Sequence, residues 1–114
     1  MYKDDQGRFL TQCLFKENYE HQNLKFPAVF SLRDQDPDSP DQLPSFKKAF
    51  IESRDITGYK VSQSLLGSWD HMQKLLRAKW FLDHYVKWVE ELEVMLKAEG
   101  LLKIQEHAKG EGST

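Results

Sequence analysis

The sequence has little cysteine and no long hydrophobic segment. Its single cysteine, Cys13, excludes an intramolecular disulfide and favours a protein of a reducing compartment. No apolar run approaches the ~20 residues that a membrane-spanning helix needs. Residues 1–8 are polar, so they do not form the hydrophobic region of a secretory signal. These features predict a cytoplasmic protein without a membrane partner.

Motifs that carry catalysis or bind cofactors are also missing. No histidine has a second histidine or a cysteine three or four residues away, as a helical zinc site requires. The six glycines are scattered and form no phosphate-binding loop. The acidic run at 34–38 begins like a calcium loop, but Ser39 and Ser45 stand where that loop needs glycine and a bidentate glutamate. We therefore expect no enzymatic activity, no cofactor and no metal.

The composition is that of one folded domain. The chain has 114 residues, of which 12% are aromatic and 30% charged. A chain of that length can bury a hydrophobic core without disulfides or structural metals. Its net charge of −2 is unevenly distributed: residues 1–44 carry −3, residues 45–77 carry +3 and residues 78–114 carry −2. The basic excess of the middle segment favours a polyanionic partner.

Residues 1–44 are predicted to form an irregular segment that packs on the helical part of the chain. Two stretches, 8–15 and 26–32, hold aromatic and β-branched residues and can pair as a short β-hairpin. Residues 8–20 can equally form a helix, because Leu10, Leu14 and Phe15 are compatible with helical spacing. Residues 34–44 contain three prolines and are expected to form a loop.

Residues 45–77 are interpreted as three short helices in a unit that is similar to a helix-turn-helix. Ser45 can cap the first helix, and Asp55 or Thr57 can cap the second. Gly67 can end the second helix, and Ser68 can cap the third. A plain bundle of three helices fits the same pattern equally well.

The third of these helices carries the proposed recognition surface. Trp69, Met72 and Leu76 share one face and are expected to point inward, which would direct His71 and Lys74 outward. Basic groups on such a surface suit contacts with DNA phosphates. The predicted DNA-binding residues are Lys47, Lys48, Lys60, His71, Lys74, Arg77 and Lys79.

Residues 78–109 are predicted to form one long amphipathic helix, and residues 110–114 a disordered tail. Gly100 weakens that helix locally by about 1 kcal/mol relative to alanine. The apolar stripe is broader than the rest of the chain is expected to shield, which favours self-association. The predicted oligomerisation residues are Phe81, Trp88, Val89, Met95 and Leu96. The expected fold class is thus mainly α, with short helices followed by one long helix.

The order of these features resembles the small terminase subunits of tailed bacteriophages over roughly residues 8–109. The resemblance is carried by residues 65–71 (LLGSWDH), 80–81 (WF) and 88–94 (WVEELEV), together with 30–34 (FSLRD) and 44–46 (PSF). It implies a protein of the host-cell cytoplasm that binds double-stranded viral DNA, assembles into a homo-oligomeric ring and regulates a large ATPase and nuclease subunit. The alternative is a small helical protein-interaction module, such as a phage adaptor or inhibitor, without direct DNA binding.

Overall fold

The computed structural model describes residues 2–36, 38 and 43–100, and this part of the chain is mainly helical. Four α-helices follow one another: α1 (Phe46–Ser53), α2 (Tyr59–Val61), α3 (Trp69–Leu76) and α4 (Lys79–Ala98). A π-helical turn, Ser62–Leu66, continues α2. Among these residues, no helix combines the length and the apolar composition that a membrane crossing requires.

The helix boundaries confirm most of the predicted capping residues. Ser45 Oγ accepts a hydrogen bond from the Lys48 amide at 3.0 Å, and Ser68 Oγ accepts one from the His71 amide at 3.3 Å. Gly67, with φ of 72°, ends the π-helical turn. A side-chain oxygen at these positions satisfies an amide that has no partner within its helix.

Both residues predicted to cap α2, Asp55 and Thr57, bind amides of its first turn, but neither occupies the N-cap position. Gly58 occupies that position, with φ of 80°. Asp55 Oδ2 accepts from the Lys60 amide at 2.9 Å, and Thr57 Oγ1 accepts from the Tyr59 amide at 3.2 Å. Two side chains therefore support the first turn of a very short helix.

The N-terminal segment forms neither the predicted hairpin nor the predicted helix. Phe15 and Phe30 meet in a single parallel bridge, whereas a hairpin requires antiparallel strands, and Ser31 pairs with Ser45 in a second parallel bridge. Within 8–20 the helical content is limited to the 3₁₀ turns Gln12–Leu14 and Tyr19–His21. The physical reason is that the extended backbone at Phe15 and Phe30 directs both rings into the core.

Aromatic rings from the N-terminal segment, α1 and α4 meet around Phe46. The centroid of the Phe46 ring lies 5.6 Å from that of Phe15, 5.5 Å from Phe30, 5.4 Å from Phe81 and 6.0 Å from Trp88. Such edge-on and offset ring contacts add roughly 0.5–1.5 kcal/mol each to the free energy of burial. This cluster positions α4 against the segment that precedes α1.

The same cluster corrects the predicted oligomerisation surface. Phe81, Trp88 and Leu96 are buried within the chain's own core, so they do not offer an exposed stripe to a second copy. Val89 and Met95 are half-buried. The prediction was wrong for the first three because the chain covers them itself: Phe15 of the segment 1–44, interpreted as irregular, contacts the Phe81 ring, and Phe46 of α1 contacts the rings of Phe81 and Trp88.

The long helix is shorter than predicted. It ends at Ala98, and Gly100 has a φ of +81°, which is incompatible with an unbroken helix over 78–109. The backbone freedom of glycine permits this left-handed conformation. Residues 101–109 of the predicted helix and the tail at 110–114 lie outside the described residues.

Gly58 provides a sharp test of packing between α2 and α4. A Cβ atom added there would lie 2.5 Å from Tyr85 Oη, whereas one at Gly7, which has the same φ of +80°, would meet nothing within 4 Å. Both substitutions by alanine incur the left-handed backbone cost of about 1–2 kcal/mol. We expect Gly58→Ala to lower the free energy of unfolding by about 1–3 kcal/mol more than Gly7→Ala, because it also overpacks the core. Urea unfolding of both variants measures the difference.

Tyr85→Phe supplies the matched control for this contact. Removing the hydroxyl leaves Tyr85 Cζ as the nearest ring atom, at 3.4 Å from the added Cβ. The extra cost of Gly58→Ala should therefore shrink when it is measured in the Tyr85→Phe background. Equal costs for Gly58→Ala and Gly7→Ala in the wild-type background would contradict this packing.

Candidate nucleic-acid interface

The two predicted DNA-binding lysines on α1 are engaged with carboxylates. Lys47 Nζ lies 3.2 Å from Glu91 Oε1 and 3.4 Å from Asp34 Oδ1, and only 13% of its side chain is exposed. Lys48 Nζ lies 2.7 Å from Asp36 Oδ2, and this contact raises the pKa of Lys48 and lowers the pKa of Asp36. These lysines hold α1 to α4 and to the preceding loop, so their charge is largely compensated.

Lys79 has a carboxylate partner, but both side chains of the pair are exposed. Its ammonium lies 3.0 Å from Asp83 Oδ2, one turn further along α4. Its side chain is 86% exposed, and an exposed pair of this kind contributes little stability and is easily exchanged. Lys79 can thus still contact a phosphate, although its nearest partner is a carboxylate.

The remaining predicted cations, Lys60, Lys74 and Arg77, are exposed. In the part of the chain that the structure describes, no carboxylate oxygen lies within 4.0 Å of any of them. All three belong to one stretch, residues 59–77, which comprises α2, the π-helical turn, the connection at Gly67 and Ser68, α3 and Arg77. We call this stretch the α2–α3 unit. The uncompensated positive charge of the predicted site is concentrated there.

His71 does not point outward, and this part of the predicted surface is wrong. Its ring is fully buried, stacks on Phe9 with 4.6 Å between the ring centroids, and places Nε2 2.5 Å from the carbonyl oxygen of Leu10. The buried face of α3 consists of His71, Met72 and Leu75. This buried face is rotated about the helix axis relative to the predicted face of Trp69, Met72 and Leu76, because the N-terminal segment covers His71.

The buried position of His71 also perturbs its titration. Desolvation lowers the pKa of the imidazole, the hydrogen bond to Leu10 opposes that shift, and the charges of Lys74 and Lys3 add to it. Nδ1 is buried and has no hydrogen-bond partner among the described residues. The neutral ring, donating from Nε2, is therefore the form that this environment favours.

Tyr59 and Trp69 of the α2–α3 unit were both predicted from the sequence to be buried, Tyr59 in the second short helix and Trp69 on the inward face of the third. Trp69 packs half-buried against the core, whereas Tyr59 lies at the surface. Tyr59 is 53% exposed, Trp69 is half-buried, and their ring centroids lie 5.7 Å apart. Gln73 and Arg77 follow Trp69 at spacings of four, so they extend along the same side of α3. The only local signal for this exposure is the charged residue that follows each ring, Lys60 and Asp70.

Outside the predicted DNA-binding surface, the Ser31 hydroxyl and the Glu17 carboxylate lie together and have a structural role. Ser31 Oγ donates to Glu17 Oε2 at 2.7 Å, and the Leu32 amide donates to Glu17 Oε1 at 2.7 Å. Ser31 is fully buried, so no substrate can reach its hydroxyl. Across the described residues, no three His, Cys, Asp or Glu side chains are grouped to hold a metal ion.

Comparisons with known proteins add no relative: the chain matches no family model, no curated protein and no solved structure. The side chains and their surroundings are therefore the basis on which a function is assigned.

His71 predicts a specific pH dependence of stability. Because its folded pKa lies below the unfolded value of 6.5, both states are neutral above that pH, and only the unfolded state takes up a proton just below it. The free energy of unfolding should fall as the pH drops from 6.5 towards the lower folded-state pKa, with a slope of up to about 1.4 kcal/mol per pH unit. Urea unfolding across this range measures the slope.

Variants at two histidines separate this effect from general acid sensitivity. His71→Gln should be less stable at pH 7 but should lose the slope, because glutamine can donate to Leu10 without titrating. His84→Gln, at an exposed position of α4, should keep it. An unchanged slope in His71→Gln would assign the pH dependence to another group.

Proposed function

We propose that this chain is a non-enzymatic, small-terminase-like component of phage DNA packaging that binds double-stranded DNA through the α2–α3 unit. The observation that carries the proposal is the division among the predicted cations. Lys47, Lys48 and Lys79 have carboxylate partners, whereas Lys60, Lys74 and Arg77 have none within 4.0 Å in the described regions. In this proposal the chain acts in the host cytoplasm and regulates a large ATPase and nuclease subunit.

Uncompensated cations favour DNA because their binding to phosphates releases condensed counterions. A lysine that is already paired gains less, since it must first lose its carboxylate. Three cations per chain support only weak binding by themselves. A ring of copies would present the α2–α3 unit many times, and multivalency can raise the apparent affinity by roughly a hundredfold or more.

The shape of α3 is compatible with a contact in the major groove. An α-helix with its side chains is about 10–12 Å across, and the groove is about 12 Å wide. The N-terminus of α3 is capped by Ser68, and Gln73, Lys74 and Arg77 face solvent. Asp70 lies on the exposed side as well, and its charge opposes DNA binding.

A second candidate function, a protein-interaction module, is favoured by one flank of α4. Leu82 and Val86 are 39% and 47% exposed, and Val89 is half-buried. Their spacing of four and three places these side chains in one apolar row beside the core face. We call this row the α4 flank. It suits contact with a second copy of the chain, which a ring requires, or with another protein.

DNA titration tests the main proposal. Wild-type protein should bind duplex DNA at about 50 mM salt and weaken as salt rises, because each contacted phosphate contributes a slope of about −0.9 in log K against log salt. Lys74→Glu with Arg77→Glu should weaken binding at least about tenfold and flatten the slope. Fluorescence anisotropy with a labelled duplex measures both quantities.

The control for this variant changes the net charge equally at other sites. Lys16→Glu with Lys87→Glu replaces two exposed lysines outside the α2–α3 unit and should leave affinity nearly unchanged. Equal losses in the two double variants would mean that overall charge, and not this surface, controls binding. Absence of wild-type binding at about 50 mM salt would exclude a direct DNA role.

The α4 flank predicts self-association. At tens of micromolar, light scattering should give a mass well above the 13.4 kDa of one chain. Val86→Glu should shift the protein towards the monomer, because it places a charge in the apolar contact. Val94→Glu is the control, since Val94 is 67% exposed but lies roughly 140° around the helix from Val89. A monodisperse wild-type monomer would contradict a ring.

A further inference from the structure

The ring of Tyr59 lies outside the core, beside Trp69, which is half-buried and packs against the core with part of its ring at the surface. Tyr59 is 53% exposed, while the rings around Phe46 are buried. Tyr59 and Trp69 belong to different helices, so the fold brings them together from across the connection at Gly67. The ring of Tyr59 therefore offers apolar surface to solvent beside a half-buried indole.

The α2–α3 unit that carries this pair also carries exposed charged residues. Lys60 and Asp70 directly follow Tyr59 and Trp69 in sequence, and Arg77 lies eight residues after Trp69, about 80° around the helix axis. Neither cation has a carboxylate within 4.0 Å among the residues described. Exposed aromatic rings combined with cations are the groups that bind single-stranded nucleic acids, because bases stack on the rings and phosphates contact the charges.

We propose that Tyr59 and Trp69 form a stacking platform for unpaired bases, so that the α2–α3 unit binds single-stranded DNA in addition to duplex. Lys60 and Arg77 contact the phosphates of the same strand. This inference rests on the proposed function, because both ligands use the cations of one surface. It goes beyond that function because it assigns the aromatic pair to unpaired bases. The ring faces of such bases are accessible, whereas those of bases within a duplex are stacked on their neighbours.

Charge complementarity favours a nucleic-acid strand over a protein at this place. A protein partner that covered Tyr59 would bring apolar neighbours, but the exposed residues of the α2–α3 unit near the pair in sequence are polar or charged: Lys60, Gln63, Asp70, Gln73 and Arg77. Among the described residues, the α4 flank is an exposed apolar row on a different helix. Asp70, which directly follows Trp69, repels phosphate, so Asp70→Asn should strengthen binding of both kinds of DNA.

Binding of a labelled 12-nucleotide oligothymidine and of a duplex of equal length, both at about 50 mM salt, tests the platform. Tyr59→Ala should weaken single-strand binding about tenfold, because each stacked base contributes a factor of roughly 5–150. Duplex binding should change less than about twofold, since the duplex hides the base faces. Tyr59→Phe, which keeps the ring, should retain single-strand binding.

Tyr19→Ala is the matched control, because Tyr19 is 76% exposed but lies outside the α2–α3 unit. It should leave both affinities unchanged. Unaltered single-strand binding in Tyr59→Ala would overturn the platform, as would an equal loss in Tyr59→Phe, which would implicate the hydroxyl. Duplex binding without single-strand binding would overturn the platform alone. Failure of wild-type protein to bind either DNA would overturn both this inference and the proposed function.

Discussion

The packing of aromatic rings around Phe46 is the interaction on which the rest of the structure depends. Phe46 begins α1, yet its ring contacts Phe15 and Phe30 from the preceding segment and Phe81 and Trp88 from α4. These contacts join parts of the chain that lie far apart in sequence. Phe15 also contacts Trp80 and Phe81 directly, so these rings hold against α4 a segment that has only isolated bridges and short turns of its own.

That arrangement decides which surfaces remain for other molecules. Phe15 of the N-terminal segment and Phe46 of α1 help to cover the apolar face of α4, and the α4 flank beside that face stays partly exposed. The loop before α1 places Asp34 and Asp36 beside Lys47 and Lys48, so the basic character of α1 is compensated locally. Of the predicted DNA-binding cations, those without a carboxylate partner belong to the α2–α3 unit, where Tyr59 and Trp69 also lie.

Two apparent conflicts with ordinary protein chemistry support this division of surfaces. A large aromatic residue at 53% exposure, such as Tyr59, contributes less to folding than it would inside. A buried imidazole with one unpaired nitrogen, as in His71, costs free energy of desolvation. The stacking of Phe9 and the hydrogen bond to Leu10 offset that cost and fasten the N-terminal segment to α3. Tyr59 has one ring contact among the described residues, to Trp69, and half of its surface stays exposed, which is why we assign it to a ligand.

The sequence by itself determined the helical class of the fold and several helix boundaries. Ser45, Gly67 and Ser68 act on amides and carbonyls within a few residues of themselves, so their roles follow from local order alone. Tertiary structure decided which helical faces are buried. His71 lies inside because Leu10, 61 residues earlier in the chain, accepts its hydrogen bond. Trp88 lies inside because Phe46 reaches it. Such partners are not fixed by the spacing of residues within one helix, since they come from distant segments whose positions exist only in the folded chain.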